Sequence, residues 1–256
     1  MNLRPIILLS FISLGFPLFA ATPQLDTVRV LFPDSKAIAQ QYAVLKGTTQ
    51  RDGIYHSYHP NGQLAHEGIY QAGKLNGPWK SWHPNGKPWK ELTYLNDMEE
   101  GSSKEWDSAG VLLSDQNYHE GEYEGLQKTF LPDGSPLQEE TWKDGKLEGT
   151  SRQWDGKILM RELNYHEGRL DGLTRVFWPD GAPKAEMSFA SGKWNGKVKQ
   201  WNEQGQLVME GEFKDGQRNG IQRRFENGMV IEEQLWENDV CKTNCPVPTA
   251  ADKKTK

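Results

Sequence analysis

Short runs that mix apolar or aromatic residues with charged residues recur along most of this chain, and glycine-containing turns separate them. A clear example is the pair of runs at residues 54–58 and 64–70, which flank the turn Pro60-Asn61-Gly62. Runs of this length between turn residues are typical of β-strands, and Asn-Gly between two of them is typical of a tight hairpin turn. The pattern therefore predicts β-hairpins.

The hairpins repeat at a nearly constant period. A glycine opens each of eight units, and successive openings are 24 residues apart, except for one unit of 23 residues that starts at Gly149. A fixed period of this length indicates stacked repeats, each of which contacts its neighbours. The units cover residues 53–239. Their opening glycines are Gly53, Gly77, Gly101, Gly125, Gly149, Gly172, Gly196 and Gly220.

Each unit carries two aromatic positions. The first rings stand five residues after the opening glycine and the second rings close the return strand. The first rings are Tyr58, Trp82, Trp106, Phe130, Trp154, Phe177, Trp201 and Phe225. The second rings are Tyr70, Tyr94, Tyr118, Trp142, Tyr165, Phe189, Phe213 and Trp236. Because the rings repeat with the glycines, they belong to the architecture, and the first rings are also the candidate binding surface.

Charged residues follow the same period. The residue three positions after each opening glycine is basic or histidine, and one position of each return strand is acidic. A two-residue turn at Asn61-Gly62 would place Tyr58 opposite Ala65 and His56 opposite Glu67. The same register places Lys80 opposite Glu91 and Lys199 opposite Glu210. We therefore expect cross-strand ion pairs along the sheet.

Strand alternation has two further consequences. The basic residue and the first ring share one face, so that the aliphatic part of a Lys or Arg side chain could lie over the ring. The second ring faces the opening glycine, whose missing side chain would leave room for the ring.

The predicted fold is all-β: an elongated single-layer antiparallel sheet of stacked hairpins, roughly 75 Å long if it were flat. Residues 22–52 contain a degenerate unit that we interpret as an N-terminal cap, since open sheet edges need protection. Residues 240–256 are predicted to be a disordered tail that contains both cysteines.

The first 21 residues are predicted to be a cleaved signal peptide. Arg4 forms a short positive region, residues 5–19 are apolar, and Ala20-Ala21 offers a small-residue cleavage site. An uncleaved membrane anchor is the alternative, but about 15 apolar residues fall short of the roughly 20 that span a bilayer. The prediction places the protein in the periplasm or outside the cell.

Cys241 and Cys245 are the only cysteines. In an oxidising compartment they could close a small disulfide loop. The alternatives are free thiols, a redox pair or half of a metal site, although the spacing is not Cys-x-x-Cys and no second cysteine pair exists.

Charge and motifs argue against several functions. The net charge is −5 with both signs spread along the chain, unlike the basic patch of a nucleic-acid-binding protein. Phosphate-binding loops, nucleophile elbows and zinc-binding helix motifs are missing from the sequence. Each of these acidic residues on the return strands has a basic or histidine partner across the hairpin, which keeps the carboxylate ionised. We therefore predict no enzyme activity, no cofactor and no metal.

The units resemble MORN repeats, in particular those of the bacterial MORN-variant family often labelled YwqK-type antitoxins. The resemblance is carried by residues 77–86, by residues 196–205 and by the two copies of Tyr-His-Glu-Gly at 118–121 and 165–168. It implies an antiparallel sheet used for contacts with proteins or, as proposed for some members, lipids. A cytoplasmic antitoxin needs no signal peptide, so an antitoxin-like role here would require an exported toxin.

Two functional hypotheses remain. The first is an exported scaffold that binds an unidentified protein partner along the sheet. The alternative is binding of cell-wall polymer, with the first rings stacking on sugars. Membrane contact is disfavoured by the net acidic charge.

Overall fold

The computed structural model describes residues 23–33 and 35–245. The predicted signal peptide, and the part of the predicted tail beyond residue 245, lie outside these residues. Every regular element in the described ranges is a β-strand. The described residues therefore contain no helix that could cross a membrane.

The predicted open antiparallel sheet of hairpins is confirmed, and it contains twenty-five strands because a two-residue strand follows most of the hairpins. The first thirteen are β1 (Leu25–Leu31), β2 (Ile38–Leu45), β3 (Arg51–Tyr58), β4 (Leu64–Gln71), β5 (Lys74–Leu75), β6 (Gly77–Trp82), β7 (Pro88–Leu95), β8 (Met98–Glu99), β9 (Gly101–Trp106), β10 (Leu112–His119), β11 (Glu122–Tyr123), β12 (Gly125–Phe130) and β13 (Pro136–Lys143). The others are β14 (Lys146–Leu147), β15 (Gly149–Asp155), β16 (Ile158–His166), β17 (Arg169–Leu170), β18 (Gly172–Phe177), β19 (Pro183–Ala190), β20 (Lys193–Trp201), β21 (Leu207–Lys214), β22 (Gln217–Arg218), β23 (Gly220–Glu226), β24 (Met229–Glu237) and β25 (Val240–Thr243).

The predicted register of the charged residues is confirmed. His56 lies opposite Glu67, and the pairs Lys80–Glu91 and Lys199–Glu210 lie opposite each other in the same way. All eight second rings lie opposite the opening glycine of their own unit, for example Tyr70 opposite Gly53.

The predicted register near the turn is wrong by one residue. Tyr58 lies opposite Leu64, not Ala65, because the first hairpin has a three-residue loop in place of the two-residue turn. Gly62 N donates to His59 O and His59 N donates to Gln63 O, both at 2.8 Å, which closes this loop with a positive φ at Gly62. A β-bulge before the first ring occurs in all eight hairpins. In the first hairpin, the extra residue in the bulge shifts the register back by one. His56 and Glu67, which lie farther from the turn, are therefore opposite each other as predicted.

The expected reason for the opening glycines is also wrong. A Cβ atom built on Gly101, Gly125 or Gly149 would meet nothing within 4 Å, so these positions do not need to make room for a ring. Their φ angles are positive, between 72° and 75°, which favours glycine over other residues. The backbone conformation selects glycine there.

One line of positions, two residues after the opening glycines, supplies much of the buried core on one face of the sheet. Tyr55, Ser103, Gln127, Ser151, Thr174 and Val198 are all buried there. Alternation puts this line on the same face as the second rings, which we call the back face. The basic and acidic residues and the first rings occupy the opposite face, the front face.

The two ends of the sheet differ from the repeats. At the N-terminus, β1 and β2 form a hairpin, and β2 pairs with β3. At the C-terminus, the tail that was predicted to be disordered from residue 240 begins with β25 instead. This strand is ordered because it pairs with β24, and Cys241 and Cys245 are bonded to each other.

Candidate binding surfaces

One continuous row of residues crosses the front face from the first strand to the last long strand. Every member lies directly opposite the next. We call it the charge row. Its members are Arg29, Gln41, His56, Glu67, Lys80, Glu91, Lys104, Asp115, Lys128, Glu139, Arg152, Glu162, Arg175, Glu186, Lys199, Glu210, Arg223 and Glu233. From His56 onward, basic or histidine residues alternate with acidic ones.

Most neighbours in the charge row form ion pairs. The best-formed stretch centres on Glu162, whose carboxylate accepts bonds from Arg152 at 2.9 Å and from Arg175 at 2.8 Å. Burial raises the pKa of this carboxyl, but the bonds from the two arginines outweigh it and leave the pKa below its usual range. Glu162 therefore stays ionised and bound to both neighbours at neutral pH.

The row is weaker at two lysines. Among the described ion pairs within 4.0 Å, neither Lys80 with Glu91 nor Lys199 with Glu210 occurs, although each pair lies opposite in register. Glu210 binds Arg223 at 2.9 Å instead. Register thus places these partners, but the flexible lysine side chains do not close the contact.

The first rings line the front face beside the charge row, as predicted. All eight are partly exposed, and none is fully buried or fully solvated. The ring of Tyr58 lies 6.4 Å from that of His56, which confirms that ring and row share a face. The described cation–π contacts, however, involve other residues: Arg51, Lys184 and Arg218. They do not involve the basic residues of the row.

The back face carries a packed aromatic group near the N-terminus. The rings of Tyr42, Tyr55 and Trp79 stack in sequence, with centroids 6.3 and 5.7 Å apart. Trp79 lies directly over Gly68, where a Cβ atom would stand 2.3 Å from a ring carbon. Arg51 covers the group, with its guanidinium carbon 4.6 Å from the Tyr42 centroid. These contacts join the N-terminal hairpin to the first two repeats.

Two histidines at the hairpin turns bridge neighbouring repeats. His59 donates from Nε2 to the carbonyl oxygen of Trp82 at 2.8 Å, and His83 does the same to Trp106 at 2.9 Å. Further along the sheet, Trp178 occupies the equivalent place and donates to Trp201. The hairpin turns are therefore tied together across units.

The residue before the opening glycine was missed by sequence reasoning. In five units it is a carboxylate that accepts a bond from the backbone N–H of a turn about 20 residues later. The pairs are Asp52 with Ala72, Glu100 with Glu120, Glu124 with Asp144, Glu148 with Glu167, and Asp171 with Ser191. Comparing the units column by column at that position would have revealed the acidic preference.

Glu100 and Glu148 each bind a histidine as well. Their bonds to His119 and His166 are 3.1 and 3.0 Å long. Bonds from the turn backbone and from the histidine lower the pKa of both carboxyls, and the bonds to the carboxylates raise the pKa of both histidines. By contrast, burial, together with the charge of nearby His59, lowers the pKa of His66.

A third aromatic arrangement lies on the back face in the middle of the sheet. Tyr118, Tyr123 and Trp142 border an open cavity of about 550 Å³, together with Glu122 and Asp144. Among the described residues, no group of three or more His, Cys, Asp or Glu side chains is placed to hold a metal ion.

Comparisons with known proteins agree with the repeat. Four segments match the model of the MORN repeat variant: residues 51–72, 75–96, 123–144 and 194–215. They fall in the first, second, fourth and seventh units. No curated protein sequence matches the chain.

Two solved chains are similar to it, each at 12% identity over 77% of this chain. They are described as "Crystal Structure of TcdB2-TccC3" and "Crystal Structure of TcdB2-TccC3-Cdc42", with TM-scores of 0.16 and 0.15. The chain spans only 14% and 13% of their lengths, and at these TM-scores the likeness carries no argument about fold or function.

Proposed function

We propose that this chain, four segments of which match the model of the MORN repeat variant, is a non-catalytic scaffold that binds another protein along the front face of its sheet. MORN repeats generally mediate contacts with proteins or membranes. The observation that carries the proposal is the line of eight partly exposed first rings, on a face over which the described residues place no second layer.

The geometry of the first rings suits a binding surface. They recur on every second long strand, about 10 Å apart at the usual strand spacing. Aromatic residues supply much of the binding energy at protein interfaces, because they bury large areas with little loss of side-chain freedom. The rings therefore provide a series of anchors along one line.

The charge row supports specificity more than affinity. Its arginines and carboxylates already bind one another, so a partner gains little from a new contact with them. The two lysines without a close row partner, Lys80 and Lys199, are the free charges that a partner's carboxylates could meet.

The test uses the full chain as bait, with chemical crosslinking before recovery. We expect one partner in stoichiometric amount with the wild-type protein, and loss of it when Trp82, Trp106 and Trp201 are all changed to leucine. Trp89→Leu is the matched control, because that indole is 41% exposed but lies against His66 and His83 on the back face. Circular dichroism checks that both variants fold. Recovery of the partner by the triple variant would contradict the proposal.

Binding to a cell-wall polymer is the second candidate. It is favoured by the regular spacing of the rings, since a polymer of repeating sugars can meet identical anchors at identical intervals. Sedimentation with purified cell wall separates the two functions. If the wild-type protein co-sediments with the cell wall and the triple variant does not, the ligand is a glycan and not a protein. Anionic vesicles should not bind a chain of net charge −5.

Export and an antitoxin-like role belong to the same proposal. They rest on the apolar N-terminal segment and on the family resemblance, and together they imply a toxin outside the cytoplasm as the partner. N-terminal sequencing of the protein from separated cell fractions tests the export. A chain that begins at Met1 and stays in the cytoplasm would contradict it.

A further inference from the structure

A second row of side chains runs along the back face and consists of the second rings and their partners. The turn after each second ring brings the chain back, so that the residue two before the next opening glycine lies opposite the ring. Examples are Leu75 opposite Tyr70 and Arg218 opposite Phe213. We call these residues the partner positions. They are Leu75, Glu99, Tyr123, Leu147, Leu170, Trp194 and Arg218. Arg51 holds the same place before Gly53, where it lies opposite Val44.

At both ends of this row the chain places an arginine against the rings. The guanidinium carbon of Arg51 lies 5.2 Å from the Tyr70 centroid, and its Nη1 donates to the Tyr70 hydroxyl at 3.1 Å. At the other end, the guanidinium carbon of Arg218 lies 3.4 Å from the Trp236 centroid. Faces of aromatic rings attract cations, and arginine stacks on them well because it is planar. The second rings of this fold therefore accept guanidinium groups.

In the middle of the row the partner position is Tyr123, and an open cavity lies beside its ring. The ring centroids of Tyr118 and Tyr123 are 5.0 Å apart, and those of Tyr123 and Trp142 are 5.5 Å apart, at interplanar angles of 41° and 55°. Tilted rings leave parts of their faces free, and these three border the open cavity of about 550 Å³. We call this site the aromatic cavity.

Neighbouring side chains hold the polar ends of these rings. Gln116 accepts a bond from the Tyr118 hydroxyl at 3.0 Å and donates to the Tyr123 hydroxyl at 3.1 Å. The indole N–H of Trp142 donates to Glu140 at 3.2 Å. Because their polar atoms are already bonded, the rings are positioned in advance and present mainly their apolar surfaces.

The surroundings of the aromatic cavity are acidic. Glu122 and Asp144 border it, and a contiguous cavity of about 270 Å³ adds Glu120 and Glu124. Against these four carboxylates stand two basic side chains, Lys146 in the first cavity and His119 in the second. The local charge therefore favours a cation over an anion or a neutral group.

We infer that the aromatic cavity binds the guanidinium group of an arginine side chain of the partner, in the manner in which Arg51 and Arg218 pack against rings of the same row. The inference rests on the proposed scaffold function for the source of the arginine, but it assigns a separate site on the opposite face. Tyr118, Tyr123 and Trp142 would contact the cation, and Glu122 and Asp144 would lie beside it.

The site can be tested without knowing the partner. The indole N–H signal of Trp142 is followed by NMR while N-acetyl-arginine amide is added to the full chain. We expect a weak but saturable shift. The citrulline analogue, which has the same shape without the charge, should give none. Tetramethylammonium provides a second cation, and binding equal to or tighter than that of the arginine probe would overturn the assignment to guanidinium.

Variants at the partner position make the test sharper. Tyr123→Leu should weaken binding about fivefold or more, as expected for the loss of one cation–π contact. It should fold normally, because Leu147 and Leu170 occupy the same position in other units. Tyr123→Arg should abolish binding, since its own guanidinium would fill the cavity. Trp194→Leu, at another partner position, should leave binding unchanged.

The outcomes separate this site from the scaffold function. Equal responses to the arginine and citrulline probes, or unchanged binding by Tyr123→Arg, would overturn the aromatic cavity as a guanidinium site. Binding of the probe by a chain that recovers no partner protein would support the site and contradict the scaffold.

Discussion

Individual residues repeat in this protein for different physical reasons, and glycine illustrates two of them. Gly101 has a φ of 73° and open space where a Cβ would stand, so its backbone conformation requires glycine. Gly68 lies outside the positive-φ region, but Trp79 packs so closely against it that a side chain has no room. Ring packing over a strand glycine compensates for the missing side chain and joins neighbouring strands.

Alanine substitutions should separate these two reasons. Gly68→Ala forces Trp79 off its site and should cost about 1 to 3 kcal/mol of unfolding free energy, as overpacking does. It should also weaken the near-ultraviolet circular dichroism of the Tyr55–Trp79 stack. Gly101→Ala should cost about 1 to 2 kcal/mol through its backbone alone and leave that spectrum unchanged. Urea unfolding measures both costs, and an unchanged spectrum in Gly68→Ala would contradict the packing argument.

At the scale of elements, the turns at the edge of the sheet depend on the preceding repeat. A carboxylate just before an opening glycine accepts the N–H of the turn one unit later, as Glu100 does for Glu120 at 2.9 Å. These turn residues have positive φ, 51° at Glu120, which is unfavourable for a side chain other than glycine. The bond from the neighbouring unit helps to stabilise the turn and couples the two repeats.

The histidines on two of these turns should respond to pH. The bonds to Glu100 and Glu148 raise the pKa of His119 and His166 above 6.5, whereas burial lowers that of His66. A raised histidine pKa means that the contribution to stability is fully present below the unfolded value and is lost as the pH rises through the folded value. The pKa of each carboxyl is lowered, so its contribution to stability is lost as the pH falls through the folded pKa of Glu100 or Glu148.

Titration of the imidazole signals by NMR checks this order. We expect His119 and His166 to lose their protons at higher pH than His66. Glu100→Gln should bring the pKa of His119 back toward 6.5 and leave the pKa of His166 unchanged, so that His166 serves as the internal control. If His119 titrates at the same pH in both proteins, its contact with Glu100 is absent in solution.

At the scale of the whole molecule, a single open sheet must protect its two edges. Apolar side chains are exposed near both ends, including Leu25 and Leu31 on β1 and Met229 and Ile231 on β24. Open apolar edges can pair with other chains. At the C-terminus, β25 covers residues 235–237 of β24, and the side-chain amide of Asn244 donates to the carbonyl oxygen of Glu233 at 3.0 Å. The disulfide closes this cap.

Removing the disulfide should open the cap. With Cys241 and Cys245 both changed to serine, we expect the free energy of unfolding of the last hairpin to fall by up to about 2 kcal/mol, the chain-entropy value for so short a loop. We also expect association that increases with protein concentration, because the β24 edge becomes free. Hydrogen exchange at Trp236 and light scattering measure the two effects. A monomer with unchanged exchange would show that β25 holds without the bond.

Most of the fold could be predicted because the same residue types recur eight times, so that the role of each position can be inferred by comparing the units. The His56–Glu67 register followed from the charges and the turn glycine. The bulge before Tyr58 could not be predicted, since it depends on how the turn hydrogen bonds close. The aromatic cavity was missed because the residue type at the partner positions varies from unit to unit, so no repeat pattern marks Tyr123. Only the packed sheet brings Tyr123 between Tyr118 and Trp142.

The sequence by itself determined the hairpin of each repeat, the face on which charges and rings lie, and the long-range register of the sheet. These follow from alternation along strands and from a nearly constant period. Only the tertiary structure decided which opposite charges meet, which rings pack together and where a cavity remains. Those outcomes depend on side-chain conformations and on contacts between units, and neither is encoded in the spacing of residues along one strand.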